Sequence, residues 1–261
     1  MKIGLLLNTP ALSPCEVVNE LDFIKNTGSR HFEIVYDHPI THEKLSVVEK
    51  FLKSNKDFTS AVHAPFVYTD ILSISDEHRK YSLDEIKKAI VFAKHIKSVL
   101  VVFHAGKITG YNKNQLNYDA FTKLVNFAEA EGVSLAVENM SAKAGFIRSN
   151  FVFEKEGYEL FEKYPSLMMC LDAGHTIQAG EDVMKFIEKF HEKIINIHLH
   201  DADIDTHKGH MALGRGKLNT VAFLRKLKEF EYDGYITLET LNRKDSLHSY
   251  NVVNEILKLQ T

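Results

Sequence analysis

Apolar runs rich in β-branched residues recur along the chain at a spacing of about 30 residues, the length of one strand–helix unit. They cover residues 2–8, 31–37, 58–65, 98–106, 133–140, 167–175, 194–201 and 234–240. Segments with helical period lie between them. Residues 15–27 set Val18, Leu21 and Ile24 on one face. Residues 82–96 open on the cap pattern Ser82…Glu85 and carry Ile86, Ile90 and Ala93 as apolar positions. Residues 115–130, 182–190, 220–230 and 246–259 read alike, and Thr27-Gly28, Glu131-Gly132, Tyr164-Pro165 and Tyr232-Asp233-Gly234 mark the joins. Eight such units without a linker or low-complexity stretch predict an α/β protein. The expected architecture is a closed (β/α)8 TIM barrel forming one domain over residues 1–261. A doubly wound open sheet is the alternative, but it usually has fewer strands, and no glycine-rich nucleotide fingerprint follows any run.

Composition changes this picture little. Hydrophobic residues make up 44% and charged residues 26% of the 261, as in ordinary soluble domains. No apolar run approaches the roughly 20 residues of a membrane span, so no membrane association is expected. Cys15 and Cys170 supply no disulfide framework, which points to a reducing cytoplasm. A net charge of -3 exerts no global pull on nucleic acid. Among the 14 histidines, His31, His38, His42, His78, His95, His191, His207 and His248 are expected at the surface.

The strand ends carry the chemistry. Barrels of this kind project catalytic groups from the C-terminal ends of their strands. Those ends hold His63, His104, Glu138, Asp172 followed by His175, His198 with His200, and Glu239. Any one alone reads as a hydrogen-bonded polar residue at a sheet edge. Six in succession repel or lose too much hydration unless a cation holds them, so a divalent-metal centre is predicted. Glu138, Asp172, Glu239 and His198 form an oxygen-rich set suited to Mn²⁺, Mg²⁺, Co²⁺ or Zn²⁺. His63 and His104 beside Glu138 favour a second, zinc-like ion, so one or two ions are expected. Cys170, two residues down the inward face from Asp172, is expected to pack. Arg215 and Lys217, in Gly214-Arg215-Gly216-Lys217, either hold a substrate phosphate or carboxylate or belong to a solvated turn. Lys107 is a weaker candidate of the same kind, and Asn139 either contacts substrate or caps its strand.

The stretches Val62-His63-Ala64-Pro65-Phe66, Val102-Phe103-His104-Ala105-Gly106, Val137-Glu138-Asn139-Met140, Leu171-Asp172-Ala173-Gly174-His175, Ile197-His198-Leu199-His200-Asp201, His210-Met211-Ala212-Leu213-Gly214-Arg215-Gly216 and Leu238-Glu239-Thr240 carry a resemblance. In order and spacing they resemble the xylose isomerase-like barrel superfamily, which includes sugar isomerases, sugar epimerases and endonuclease IV. The sugar branch implies a metal on Glu138, Asp172, His198 and Glu239, with Glu138 and Glu239 also acting as acid and base. A divalent ion acidifies the C–H between a carbonyl and a hydroxyl, one glutamate removes the proton and the other returns it. His175 would orient a substrate hydroxyl. His198, with Asp201 three residues on, fits the superfamily's His-Leu-x-Asp pattern and is the expected ligand. His200 is expected to line the substrate mouth or to hydrogen-bond a ligand carboxylate.

The endonuclease branch implies three zinc ions: one on His63, His104 and Glu138, one on the four-residue set, and one on His175 with a following Asp-x-His. His210 supplies the last histidine, but Lys208 stands where the aspartate belongs, and a lysine repels a cation; Asp203 or Asp205 would have to replace it. Phe66-Val67 occupies the loop that DNA-cleaving relatives insert into the duplex, yet sugar-acting relatives carry aromatics there too, so Phe66 is expected to line a substrate pocket. The expected function is a metal-dependent isomerase or epimerase of a small sugar, polyol or sugar phosphate. A zinc phosphodiesterase acting on abasic DNA, and a metal-dependent lyase or dehydratase, are the alternatives.

Overall fold

The computed structural model describes residues 1–106, 118–141 and 155–259. Eight parallel strands close into a barrel: β1 (Lys2–Leu7), β2 (His31–Val35), β3 (Thr59–His63), β4 (Val101–His104), β5 (Leu135–Glu138), β6 (Met168–Asp172), β7 (Ile194–Leu199) and, after a short ribbon of β8 (Asp201–Asp203) and β9 (Lys208–Met211), β10 (Tyr235–Leu238). Their order around the barrel is β1-β10-β7-β6-β5-β4-β3-β2. The described helices are α1 (Pro14–Asn26), α2 (His42–Ser54), α3 (Asp76–Ile96), α4 (Tyr118–Glu131), α5 (Lys155–Lys163), α6 (Ala173–Ala179), α7 (Val183–Phe190), α8 (Thr220–Glu229) and α9 (Arg243–Leu259). None is long and apolar enough to cross a membrane.

Strands buried on both faces need apolar side chains on both, which is why the runs are nearly continuous. One face packs outward against the helices, as Phe32, Val101, Phe103 and Ile197 do. The other closes the barrel floor with a smaller cluster of Ala61, Leu100, Val102, Ala136 and Cys170. Alternation then dictates what stands above that floor. Two residues beyond Ala61, Val102, Ala136 and Cys170 come His63, His104, Glu138 and Asp172; two beyond Asn196 and Thr237 come His198 and Glu239. Small or neutral side chains below and metal-type side chains above make the barrel mouth a chemical surface.

Several local expectations shift. α1 buries Val17, Leu21 and Ile24, leaving Val18 exposed. α3 begins two turns before the predicted start, capped by Ser75; Ser82 lies inside it, buried, with its hydroxyl donating to the His78 carbonyl at 2.7 Å and accepting the Asp70 amide at 2.8 Å. Residues 173–175 leave the sixth strand for α6, because the Asp172 carboxylate caps that helix through the His175 amide at 2.6 Å. His31, expected at the surface, is buried in β2 with Nδ1 2.9 Å from Thr59 Oγ1.

Candidate metal centre

Glu138, buried at the end of β5, is the hub. Its Oε2 lies 3.2 Å from His63 Nε2, 3.1 Å from His104 Nε2 and 3.3 Å from His198 Nδ1, and its Oε1 lies 3.2 Å from His175 Nδ1. Asp172, besides capping α6, meets His200 Nε2 at 3.2 Å and His175 Nδ1 at 3.4 Å. Glu239, just past β10, brings Oε2 to 3.2 Å from His198 Nδ1. Glu138, Asp172, His198 and Glu239 each offer an atom within 4.8 Å of the others, and so do His63, His104 and Glu138.

Burial opposes every charge in this cluster, and opposite neighbours overrule it for the carboxylates. His198 and His104 hold Glu138 well below the usual range despite its burial. His175 and His200 do the same for Asp172, and His198 and His210 for Glu239. Burial also works against the imidazolium of His198, but Glu33, Glu138 and Glu239 push its pKa well up; Asp172 and Glu138 raise His175 to about 10. For His104 burial wins and its pKa falls. The centre is a set of ionised carboxylates interleaved with imidazoles.

A divalent ion fits this set. His198 Nδ1 and Glu239 Oε2 are 3.2 Å apart yet out of hydrogen-bonding geometry, and both are buried with no partner. His63 Nδ1 lies 2.8 Å from the Ala64 carbonyl, which can only accept, so in the neutral ring Nε2 turns its lone pair toward Glu138. Lone pairs aimed at one another across buried space are what a metal coordinates. Burial pushes the Cys170 thiol up, so it packs as a protonated side chain rather than a thiolate ligand.

The third ion of the endonuclease pattern lacks its acid. His175, His200 and His210 come together, and among the described residues no carboxylate completes their group. Lys208 is exposed on β9. Asp203 accepts the amides of Asp205 and Thr206 at 2.8 and 3.4 Å, and Asp205 pairs with Lys217 at 3.1 Å, so neither acid replaces it. His200 has contacts of its own: Nδ1 lies 2.9 Å from the His210 amide and 3.1 Å from the Asp201 carbonyl, and Nε2 lies 3.2 Å from Asp172.

Of the expected substrate contacts, Phe66 stands at the mouth, 5.2 Å from the ring centres of both His63 and His104. It helps line a cavity of about 360 Å³ that also reaches Glu239, His210, Asn242 and Arg243. Asn139 donates its side-chain amide to the Asp172 carbonyl and Thr176 Oγ1 at 3.1 and 3.0 Å and accepts the Asp172 backbone amide at 2.7 Å on its oxygen, so it ties β5 to β6 at the strand end. Arg215 pairs with Asp245 at 2.9 Å and Lys217 with Asp205, both at the surface. The amides of Gly214, Gly216 and Leu218, which could have cradled an anion, are filled by the Asp201 carboxylate at 2.8–3.0 Å. That loop is closed on itself by Asp201, and Arg215 and Lys217 each face a surface carboxylate. Lys107 lies outside the described residues.

Sequence reasoning missed Glu33. It is fully buried midway along β2, with Oε1 2.9 Å from His198 Nε2. The signal was a charged residue on the inward face of an apolar strand, away from the strand ends.

Comparison with known proteins points the same way. The chain is 28% identical over 176 residues to fructoselysine 3-epimerase of Shigella flexneri, covering 64% of this chain and 62% of that protein. It is 29% identical over 170 residues to a probable endonuclease 4 of Mycoplasma mycoides, covering 59% and 58%. Among solved structures, a D-tagatose 3-epimerase-like protein superposes with a TM-score of 0.85 at 26% identity, covering 99% of this chain and 98% of that one. A family model described as xylose isomerase-like TIM barrel matches residues 21–258. With that match spanning nearly every strand of the closed barrel and all the converging side chains, the chain belongs to the xylose isomerase-like TIM barrel family.

Proposed function

We propose that this protein is a divalent-metal-dependent epimerase or isomerase that relocates a proton on a small sugar-type substrate. The observation that carries this reading is the pair of carboxylates Glu138, buried, and Glu239, partly buried. They come from β5 and the end of β10, strands separated in the barrel by β6 and β7, and both approach His198 Nδ1, at 3.3 and 3.2 Å. Glu138, Asp172, His198 and Glu239 would hold one ion, and His63 and His104 with Glu138 a second. A bound divalent ion polarises a carbonyl and its neighbouring hydroxyl, acidifying the C–H between them. The chain's own part is proton transfer. One glutamate takes the proton onto a carboxylate oxygen, and the other returns a proton to the same or the adjacent carbon. Both are held ionised by neighbouring histidines, so either can begin as the base. His175, with Nδ1 against Glu138 and Asp172, stands where it can orient a substrate hydroxyl. Phe66 and the apolar side of the cavity would pack against the carbon skeleton of the substrate. The likeness to a fructoselysine 3-epimerase and to a D-tagatose 3-epimerase-like protein supports a sugar as the substrate class.

The test is deuterium exchange. The protein, supplied with Mn²⁺ or Zn²⁺ in heavy water, is incubated with a panel of ketoses, aldoses and their phosphates. Deuterium should enter at the carbon beside the carbonyl, and Glu138→Gln and Glu239→Gln should each slow this by about 10²-fold or more. A panel without exchange overturns the reading, and net loss of water from a substrate would make the protein a dehydratase built on the same proton abstraction.

A second reading, a zinc phosphodiesterase acting at abasic sites, is favoured by the convergence of His63 and His104 on Glu138. The missing acid at Lys208 counts against it. Incision of an abasic duplex by the wild type and not by Glu138→Gln, with no exchange into sugars, would replace the first reading with this one.

A further inference from the structure

Glu33 stands outside the proton transfer proposed above. It lies in the middle of β2, on the inward face set by His31, Glu33 and Val35, and is fully buried. Its partners come from across the barrel. Oε1 accepts from His198 Nε2 at 2.9 Å, and Oε2 accepts from Asn196 Nδ2 at 2.9 Å and Thr237 Oγ1 at 2.8 Å. Among the described residues no lysine or arginine pairs with it. A buried carboxylate without a cation is strongly unfavourable unless its oxygens are well hydrogen-bonded. Here Asn196 and Thr237 supply that hydrogen bonding without supplying charge, so the negative charge of Glu33 remains directed at one ring nitrogen of His198.

We infer that Glu33 is a positioning residue of the metal centre: it keeps the proton of His198 on Nε2 and thereby makes Nδ1 the ligand atom. This rests on the metal reading above. A carboxylate can only accept, so the nitrogen hydrogen-bonded to Glu33 must carry a hydrogen. When an ion takes the place of any proton on the other nitrogen, the imidazole is neutral, has one N–H, and presents its lone pair on Nδ1. That atom faces Glu138 and Glu239 and is left without a hydrogen bond. The ring also has little freedom to turn, since it stacks on His63 with centroids 5.7 Å apart and planes 24° apart. A carboxylate behind a ligating histidine fixes its tautomer and orientation and raises its basicity toward the ion. Replacement by glutamine would remove this preference, because a carboxamide can present either its oxygen or its NH2 to Nε2.

The experiment measures zinc affinity by calorimetric competition with a chelator, and the protonation of each ring nitrogen of His198 by NMR of zinc-loaded protein labelled with ¹⁵N-histidine. The His198 signals are assigned by their loss in His198→Gln. In the wild type, Nε2 should carry the hydrogen and Nδ1 should not. Glu33→Gln should bind zinc roughly 10- to 100-fold more weakly. If Glu33 only braces the barrel, Glu33→Gln lowers stability but binds zinc as tightly as the wild type, and the inference falls. It falls equally if zinc-loaded His198 carries its hydrogen on Nδ1, a result readable on the wild type even should the variant fail to fold. Neither readout uses a sugar. An inactive protein that binds zinc through His198 Nδ1 would overturn the proposed reaction and leave the role of Glu33 standing.

Discussion

His198 Nδ1 and Glu239 Oε2 face each other at 3.2 Å inside the barrel mouth, and neither has a hydrogen-bond partner. Without a cation the neighbouring carboxylates draw a proton onto His198, yet the pair stays out of hydrogen-bonding geometry, so a divalent ion between them would serve the buried oxygen better. Stripping divalent ions with a chelator should therefore lower the melting temperature, and Zn²⁺ or Mn²⁺ should restore it. At about 1,000 times the dissociation constant the gain should be about 4 kcal/mol, on the order of 10 °C for a chain of this size. Calorimetry with and without cation checks this. A transition indifferent to chelator and cation would sink the metal reading.

Gly174 and His200 predict a second effect. A Cβ built on Gly174 would land inside the His200 imidazole, whose Nε2 binds Asp172. Gly174→Ala should force the ring away from Asp172 and cost about 1–3 kcal/mol. The same substitution in a His200→Ala background should cost much less, because the obstructing ring is gone. Chemical denaturation of the four proteins closes the cycle, and additive costs would show that the ring is not what the glycine accommodates.

The barrel and most of its metal-type side chains were legible in the sequence because alternation is a strict rule. Once the strands are placed, His63, His104, Glu138, Asp172, His198 and Glu239 must share the inward face at the mouth. What stayed hidden depended on contacts far apart in the chain. Glu33 looked like one charge in an apolar strand until its partners appeared 163 to 204 residues away. In α2 the buried Lys44 looked like a surface charge until its ammonium was seen to reach the carbonyls of Thr9, Pro10 and Pro39. The glycines around Arg215 suggested an anion cradle, but the anion that fills it is Asp201, well upstream in the sequence.

That same aspartate yields a third prediction. Asp201 accepts four backbone amides, from Ala202, Gly214, Gly216 and Leu218, at 2.8–3.0 Å, and is fully buried. An asparagine would turn its NH2 group toward amides that also donate. Asp201→Asn should cost about 2–4 kcal/mol, the range for charge-assisted bonds lost with donors left buried. Hydrogen exchange should localise the damage, with the Gly214, Gly216 and Leu218 amides losing protection before the barrel strands do. Unchanged protection at those three amides would mean that the loop stands without the carboxylate.

His31 sets an acid limit on stability. Burial pushes its pKa down to about 4, more than Glu33 nearby can offset. Its ring packs 4.6 Å from that of Tyr235, and its Nε2 has no partner. The unfolded chain takes up a proton near the ordinary value of about 6.5, before the folded protein does. The neutral buried ring therefore costs nothing above about pH 6.5, and stability falls as the pH drops from there toward 4. The loss grows by about 1.4 kcal/mol per pH unit, to about 3 kcal/mol in all. Replacing the ring with an apolar one, His31→Phe, removes this titration. Urea denaturation of metal-free wild type and variant at about pH 7 and about pH 4.5 measures the difference. The histidines of the metal centre titrate in both proteins and cancel in the subtraction. The wild type should lose about 2–3 kcal/mol more than the variant over this interval, and equal losses would mean that His31 titrates alike folded and unfolded.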